Sequence, residues 1–357
     1  MSADDRIGSR AAEASSLVAS LIARARDAQR QYERCNQEQV DEAVLAAGWA
    51  IIEPTRNRTL AEMAVRETGL GNVEDKVLKN HRKTLGLLRD LRGIRTVGVI
   101  AEDPARGLIE IARPAGVVAA VTPSANPGAT PAHKIINALK GGNTLRLAPT
   151  PQGTGTCSTL VDYVRTALAQ LELPADLVQH IPAPVTKDAT LELMRQADLV
   201  VATGSQNNVR AAYSSGTPAF GVGAGNAASI IDVSADLDDA ARAIVSSKCF
   251  DNATSCSSEN SVVVLDAVYD RALAALTAAG GVLLDAEEKR TLQAAMWPQG
   301  KLSSAVIAQP AHRIAELAKL SRGQLASARF LMVEETGTGA DCPFSGEKLS
   351  PVLTVYR

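Results

Sequence analysis

Between residues 115 and 225, short apolar runs alternate with amphipathic, helix-forming segments. AGVVAAVT is apolar throughout, which is typical of a parallel strand buried on both faces. PAHKIINALKGG follows as a helix with a glycine stop, and further strands are predicted at NTLRLAP, LVQHI, DLVVAT and TPAFGVGAG. The alternation predicts a doubly wound α/β sheet, a fold that binds ligands at the carboxyl ends of its strands.

Size and charge narrow the class of protein. The chain has 357 residues, 46% of them apolar, which is enough for two domains with a core each. A net charge of −2 without a basic run argues against nucleic acid as a partner. No signal peptide is recognisable and no eighteen apolar residues run together, so no export or membrane partner is expected. We expect a cytoplasmic protein that acts on small molecules.

One of the five cysteines, Cys256, lies among hydroxyl residues in TSCSSEN, just before the β-branched run SVVV. Residues 250–253 are expected to lead into a helix, whose free N–H groups would favour a thiolate nearby. Cys256 is therefore a candidate nucleophile, with its own N–H as a donor to an oxyanion. The alternative is a buried structural cysteine. An odd cysteine count without a CxxC pair, and histidines without metal spacing, predict neither a disulfide framework nor a metal site.

Three segments, in order, resemble the CoA-acylating branch of the aldehyde dehydrogenase superfamily: AAYSSGTPAFGVGAGN, FDNATSCSSENSVVV and EKLSPVLTVYR. The resemblance covers nearly the whole chain and implies an aldehyde dehydrogenase-like α/β fold. It places a nicotinamide cofactor-binding domain at residues 1–99 and 116–224, an oligomerisation hairpin at 100–115 and a second α/β lobe, the catalytic domain, at 225–357. Family members continue past the position of Arg357, so the catalytic domain is expected to be C-terminally incomplete. A homodimer or homotetramer is expected.

The glycine-rich stretch GVGAGN, at residues 221–226, contains no carboxylate. Hydrolytic aldehyde dehydrogenases carry a glutamate there that activates water. Without such a base, water attacks a thioester slowly, whereas a thiol of low pKa displaces the acyl group unaided. The resemblance therefore implies coenzyme A as the acyl acceptor and NAD or NADP as the hydride acceptor.

The identity of the aldehyde substrate is predicted less directly than the two cosubstrates. The serines around Cys256, and the detailed resemblance, favour sulfoacetaldehyde, with acetaldehyde or propionaldehyde as the alternative. Two other classes stay open. One is a cysteine hydrolase with a histidine beside Cys256, and the other is a catalytically silent structural subunit.

The usual dinucleotide fingerprint GxGxxG is missing after the first strand of the sheet. The resemblance instead places the cofactor pyrophosphate beside the segment ATGS. Thr203 and Gly204 would border the phosphates there, and Ser205 would cap the following helix. Gly223, in the glycine-rich stretch, and Glu347, which matches the family glutamate that holds the nicotinamide ribose, complete this part of the predicted set.

NTLRLAP places Ala148 where hydrolytic relatives have a lysine that grips the adenosine ribose. This departure leaves the choice between NAD and NADP open. Arg146 lies two residues earlier on the same strand face and is a candidate for binding a 2′-phosphate. The alternative is a solvated arginine.

The segment PSANPGATPAHK lies at the end of a buried strand. We interpret Asn126 there as a second catalytic donor, which would share the oxyanion with the N–H of Cys256. Loss of one such donor typically costs roughly 2.7–4 kcal/mol. An ungapped count places Ala125 at the family position instead, and a turn-forming asparagine before proline is the structural alternative.

Overall fold

The computed structural model describes residues 3–357, with side chains from residue 11 onwards. The chain divides into two compact units. The first comprises the chain up to Gly69 together with Lys76–Gly223, and the second comprises Leu70–Asp75 and Ala224–Arg357. The main boundary lies one residue before the predicted domain boundary. The assignment of residues 70–75 to the second unit was not predicted.

Eight of the described helices and seven strands lie in the first unit, except that the first three residues of the fourth helix belong to the second unit. The helices are α1 (Ala3–Tyr32), α2 (Gln37–Ile52), α3 (Pro54–Thr68), α4 (Val73–Leu91), α5 (Ala129–Lys140), α6 (Thr154–Ala169), α7 (Lys187–Gln196) and α8 (Gln206–Tyr213). The strands are β1 (Gly98–Asp103), β2 (Leu108–Ala112), β3 (Val117–Val121), β4 (Thr144–Ala148), β5 (Val178–His180), β6 (Leu199–Thr203) and β7 (Ala219–Val222).

Five of these strands form a parallel sheet in the order β5-β4-β3-β6-β7. Alternate residues of β3 point to opposite faces. Val118 and Ala120 join a core with α2, α5 and α6, whereas Val117 and Ala119 join a core with α1 and α7. Both faces are therefore covered by helices, as the continuous apolar runs predicted. The fold is α/β and doubly wound.

The strands β1 and β2 pair antiparallel, as the predicted hairpin at residues 100–115 requires. Large apolar side chains of this hairpin face solvent: Leu108, Ile109 and Ile111 are 54%, 63% and 62% exposed. This apolar surface supports the proposed role in oligomerisation, which stays a prediction. Among the described residues, no helix has both the length and the apolar character needed to cross a bilayer.

The second unit is built around a second parallel sheet, in the order β10-β11-β12-β9-β8. Its elements are β8 (Ala228–Ile231), α9 (Leu237–Cys249), β9 (Ser261–Val264), α10 (Tyr269–Ala278), β10 (Gly281–Leu283), α11 (Ala286–Met296), α12 (Ala311–Leu317), β11 (Phe330–Glu334) and β12 (Val352–Tyr356). The helices α9 and α10 pack on one face, and α11 and α12 on the other. The predicted second α/β lobe is thus confirmed, and β12 lies inside the sheet rather than at its edge.

Candidate active site

Cys256 follows a strained turn rather than a helix. Residues 250–253 form one short 3₁₀ turn in which Asp251, Asn252 and Ala253 have positive φ angles of 50°, 51° and 62°. The helix predicted after residue 250 is wrong, because consecutive left-handed residues cannot continue a right-handed helix. Cys256 therefore lacks the helix N-terminus on which its activation was predicted.

Hydrogen bonds hold this turn in place. The buried carboxylate of Asp251 accepts a hydrogen bond from Oγ1 of Thr254 at 2.6 Å, and the Asp251 carbonyl accepts from the Thr254 N–H at 3.2 Å. The side chain of Asn252 donates to the carbonyl of Ala308 at 3.0 Å. These bonds fix the backbone that leads to the nucleophile.

Among the five free cysteines, Cys256 is the exposed one. Cys157, by contrast, is fully buried, and burial raises its pKa to about 12. A thiol must reach its substrate and ionise in order to act as a nucleophile. The alternative of a buried structural cysteine is therefore wrong for Cys256.

The glycine-rich stretch packs directly against Cys256. A methyl group added at Gly225 would lie 2.6 Å from the carbonyl oxygen of Cys256 and 3.3 Å from its Cβ. There is room beside Cys256 for the backbone of residue 225 but not for a side chain. The stretch thus brings no side-chain carboxylate to the cysteine.

Glu347 holds this stretch from the other side. Its Oε1 accepts a hydrogen bond from the N–H of Gly225 at 3.0 Å. Burial raises the pKa of Glu347, while the bond from Gly225 and the charge of Lys248 act against that rise. Glu347 therefore orients the backbone beside the nucleophile. Its predicted contact with the nicotinamide ribose stays a prediction.

Lys248, in the last turn of α9, is 1% exposed. Burial lowers its pKa to about 7, although Glu259, Cys249 and Glu347 oppose that shift. A lysine with so low a pKa changes its charge near neutral pH. No sequence pattern indicated that Lys248 is buried, because a lysine near a helix end usually faces solvent.

The first unit contains a cavity of about 350 Å³ at the carboxyl ends of β3, β4 and β6. Gly204 and Ser205 both line it, as predicted, and Thr203 directly precedes them at the end of β6. Ser205 caps α8 by accepting a hydrogen bond from the N–H of Asn208 at 3.3 Å. Gly204 has a φ of 153°, which a side chain rarely adopts. The cavity therefore lies where the ATGS segment was predicted to bind the pyrophosphate, and the binding itself stays a prediction.

Gly223 lies beside the start of α8. A methyl group at Gly223 would come within 2.7 Å of the side chain of Gln206. Because these atoms are the end of a flexible side chain, this contact does not by itself require glycine. Its binding to a cofactor stays a prediction.

Among the described residues, Lys187 is the one charged residue that lines this cavity, and no described carboxylate lines it. It is the first residue of α7, directly after the capping residue Thr186. Sequence reasoning missed it, although the helix start in PVTKDATLE follows the carboxyl end of a predicted strand, where ligand-binding residues are expected.

Arg146 does not reach this cavity. It is fully buried in β4, where Nε donates to the carbonyl of Leu21 at 3.0 Å and one terminal nitrogen donates to the carbonyl of Leu145 at 2.9 Å. Burial lowers its pKa to about 9. Its assignment to a 2′-phosphate and the alternative of a solvated arginine are both wrong. The strand pattern predicted the face correctly but not that α1 covers it.

Asn126 lies between β3 and α5 in the first unit. Its Oδ1 accepts a hydrogen bond from Nζ of Lys79 at 3.0 Å, and Lys79 is 2% exposed. Because an ammonium group only donates, this bond fixes Oδ1 and leaves the amide NH₂ pointing away from Lys79. Its predicted role at the oxyanion stays a prediction.

A sequence profile described as "Aldehyde dehydrogenase family" matches residues 2–298. The chain belongs to the aldehyde dehydrogenase family. It is 66% identical, over 96% of its own length and 70% of the relative's, to "Sulfoacetaldehyde dehydrogenase (acylating)" of Cupriavidus necator.

Solved structures agree with the fold of this family member. An acetylating aldehyde dehydrogenase from Geobacillus thermoglucosidasius has a TM-score of 0.92 and 35% identity, and the match covers 97% of this chain and 76% of that one. A propionaldehyde dehydrogenase from Rhodopseudomonas palustris, solved with bound CoA and an acylated cysteine, has a TM-score of 0.85 and 26% identity, with 95% and 76% covered.

Proposed function

We propose that this chain is an acylating aldehyde dehydrogenase, which oxidises sulfoacetaldehyde to its CoA thioester with Cys256 as nucleophile and NAD or NADP as hydride acceptor. One observation carries the proposal. The backbone of Gly225 contacts Cys256 in the stretch where hydrolytic relatives have a water-activating glutamate. An acyl group on the exposed Cys256 thiol is therefore protected from that route to hydrolysis and must leave to another thiol.

The residues account for each bond that changes. The Cys256 thiolate attacks the aldehyde carbon, so that a C–S bond forms and the carbonyl oxygen becomes an oxyanion. The backbone N–H of Cys256, and Asn126 as predicted, donate hydrogen bonds to that oxygen. As the C=O bond forms again, the carbon loses a hydride, which a nicotinamide held at the cavity would accept, and a thioester on Cys256 results. The CoA thiolate then attacks the thioester carbon, and the bond to Cys256 breaks, which restores the Cys256 thiolate.

The cavity at Gly204 and Ser205 fits the nicotinamide nucleotide in this proposal. Its glycine backbone and the N-terminus of α8 suit a pyrophosphate. When bound, the nucleotide supplies the hydride acceptor. The chain's part is to hold the phosphates with Ser205 and to orient the nucleotide.

Two observations support an anionic aldehyde. The relative at 66% identity carries the name of the sulfoacetaldehyde enzyme. Within the described structure, Oγ of the buried Ser258 has no hydrogen-bond partner, and it lies two residues from Cys256. A sulfonate oxygen would accept the hydrogen bond that this hydroxyl lacks.

Acetaldehyde is the second candidate substrate, favoured by the 35% identity to an acetylating enzyme. A cysteine hydrolase is less well supported. His312 is the histidine of the second unit, and it is exposed on α12 without a described contact to Cys256.

The test is nicotinamide reduction with sulfoacetaldehyde or acetaldehyde, with and without CoA, in the wild type and in Cys256→Ala. We expect reduction that requires CoA, favours sulfoacetaldehyde and is lost in Cys256→Ala. Formation of the free acid without CoA would refute the acylating reaction. Full activity of Cys256→Ala would refute the nucleophile.

We also propose that the enzyme works as a homo-oligomer in the cytoplasm. The exposed apolar residues of the β1–β2 hairpin support self-association, since surfaces of this kind mark interfaces. The free cysteines support a reducing compartment. Light scattering of the purified chain, compared with Ile109→Lys, tests the first part, and fractionation of cells tests the second.

A further inference from the structure

A short segment from far upstream in the chain holds the turn before Cys256. Residues 70–75 belong to the second unit although they lie about 180 residues before the turn. The N–H of Asn72 donates to Oδ1 of Asp251 at 2.9 Å. In return, the N–H of Asp251 donates to Oδ2 of Asp75 at 2.7 Å. The two bonds connect the segment and the turn in both directions.

The segment is itself held rigid. The side chain of Asn72 accepts from the N–H of Asp75 at 2.9 Å and donates to Oδ2 of Asp75 at 2.7 Å. In the same segment, Gly71 donates to the carbonyl of Ala308 at 3.1 Å, the carbonyl that also accepts from Asn252. The turn and the segment therefore share one anchoring point, the carbonyl of Ala308.

The turn needs such anchoring. Its third left-handed residue is Ala253, whose side chain offers no hydrogen bond in compensation for a φ of 62°. Backbone of this kind persists only where surrounding contacts determine it, and such strain concentrates at functional sites. The carboxylate of Asp251 is fully buried and is tolerated because donors surround it. Cys256 follows three residues after Ala253.

We propose that Asn72 and Asp75 are positioning residues, which act through Asp251 to hold the Cys256 turn in its reactive conformation. This role rests on the proposed function, because it concerns the reaction of Cys256. Neither residue takes part in the chemistry. They determine the position of the Cys256 thiol relative to the aldehyde. Substituting them should therefore lower kcat more than it weakens nucleotide binding.

The test compares Asp75→Ala with Asp285→Ala. Asp285 is a matched control, since it lies in the same unit and its carboxylate also accepts backbone hydrogen bonds, from the N–H groups of Glu287 and Glu288 at 2.9 Å. We expect Asp75→Ala to lower kcat about 100-fold, as a misplacement of about 1 Å does, with little change in KM for the nucleotide. Hydrogen–deuterium exchange should quicken in residues 250–256. Asp285→Ala should leave both unchanged.

Asp75→Asn keeps one acceptor oxygen and should fall between the wild type and Asp75→Ala, which also covers the case in which Asp75→Ala does not fold. Asp75 variants that keep kcat within about twofold would overturn the proposal. So would exchange that quickens equally throughout the second unit. If the wild type shows no CoA-dependent turnover, the proposed function fails, and the exchange comparison still decides whether the segment holds the turn.

Discussion

Gly225 and Cys256 pack so closely that a methyl group at residue 225 would lie 2.6 Å from the carbonyl oxygen of Cys256. This distance is shorter than real Cβ atoms show, and the obstructing atom is backbone. A side chain at residue 225 must therefore displace either the glycine-rich stretch or the nucleophile. The hydrogen bond from Gly225 to Glu347 restrains the stretch.

The first prediction is that Gly225→Ala lowers kcat by about 100-fold or more, because displacement of the thiol by about 1 Å costs that much. The measurement is CoA-dependent nicotinamide reduction. Gly323→Ala serves as the control, since a methyl group there meets nothing within 4 Å. A Gly225→Ala enzyme as active as the control would contradict the packing argument.

The second prediction concerns Ser258. Because its buried hydroxyl has no described partner, we expect it to bond the anionic end of the substrate. Ser258→Ala should raise KM for sulfoacetaldehyde by about tenfold, the effect of one hydrogen bond to a charged group, and should leave KM for acetaldehyde unchanged. The neighbouring exposed Ser257→Ala is the comparison. An equal change for both aldehydes would rule out recognition of the sulfonate by Ser258.

Several features could be predicted from the sequence because they depend on local pattern. Apolar runs of strand length predicted both sheets. The ATGS segment predicted a ligand-binding position, and a cavity lies there at Gly204 and Ser205. Other features depend on contacts between distant residues. The bond from Asn72 to Asp251 joins residues 179 apart, so neither the place of residues 70–75 nor the left-handed turn could be read locally.

Arg146 shows the same limit at a single residue. The period of the strand fixes which face its side chain occupies, but only the packing of α1 decides whether that face is open. Lys187 is the converse case. The sequence alone did not assign Lys187 to the cavity, because only the folded chain brings the ends of β4 and β6 close to the start of α7.

The third prediction follows from the pKa of Lys248, which burial lowers from 10.5 to about 7. Between these two values the unfolded chain binds a proton that the folded chain does not, so the contribution of Lys248 to stability grows as pH rises and is lost as pH falls through about 7. The largest slope from one such group is about 1.4 kcal/mol per pH unit.

Lys248→Met removes this group. The Tm of the wild type relative to the variant should therefore rise between pH 7 and pH 9, a window set by the lowered pKa. Thermal unfolding at several pH values measures it, with the exposed Lys301→Met as the control. A difference in Tm that stays constant with pH would contradict the lowered pKa.

The fourth prediction concerns the choice of nucleotide. Of the residues with described side chains, Lys187 is the sole charged one that lines the cavity, and none that would repel a 2′-phosphate lies in the lining. We therefore expect the enzyme to accept NADP, and Lys187→Ala to raise KM for NADP about tenfold to 100-fold, with KM for NAD little changed. Steady-state kinetics with both nucleotides measure this, with Lys301→Ala as the control. Equal effects on NAD and NADP would place Lys187 away from the 2′-phosphate.

The last prediction tests Asn126. Lys79 donates to Oδ1 of Asn126 at 3.0 Å and so directs the NH₂ group away from itself. If this group stabilises the oxyanion, Asn126→Ala should lower kcat by about 10²–10³-fold, while KM for the nucleotide stays the same. Lys79→Met should lower kcat less, and in the double variant the two losses should not add, because Lys79 acts through Asn126. Asn137→Ala, which removes an exposed amide from α5, is the control. Additive losses would mean that Lys79 stabilises the first unit independently of Asn126.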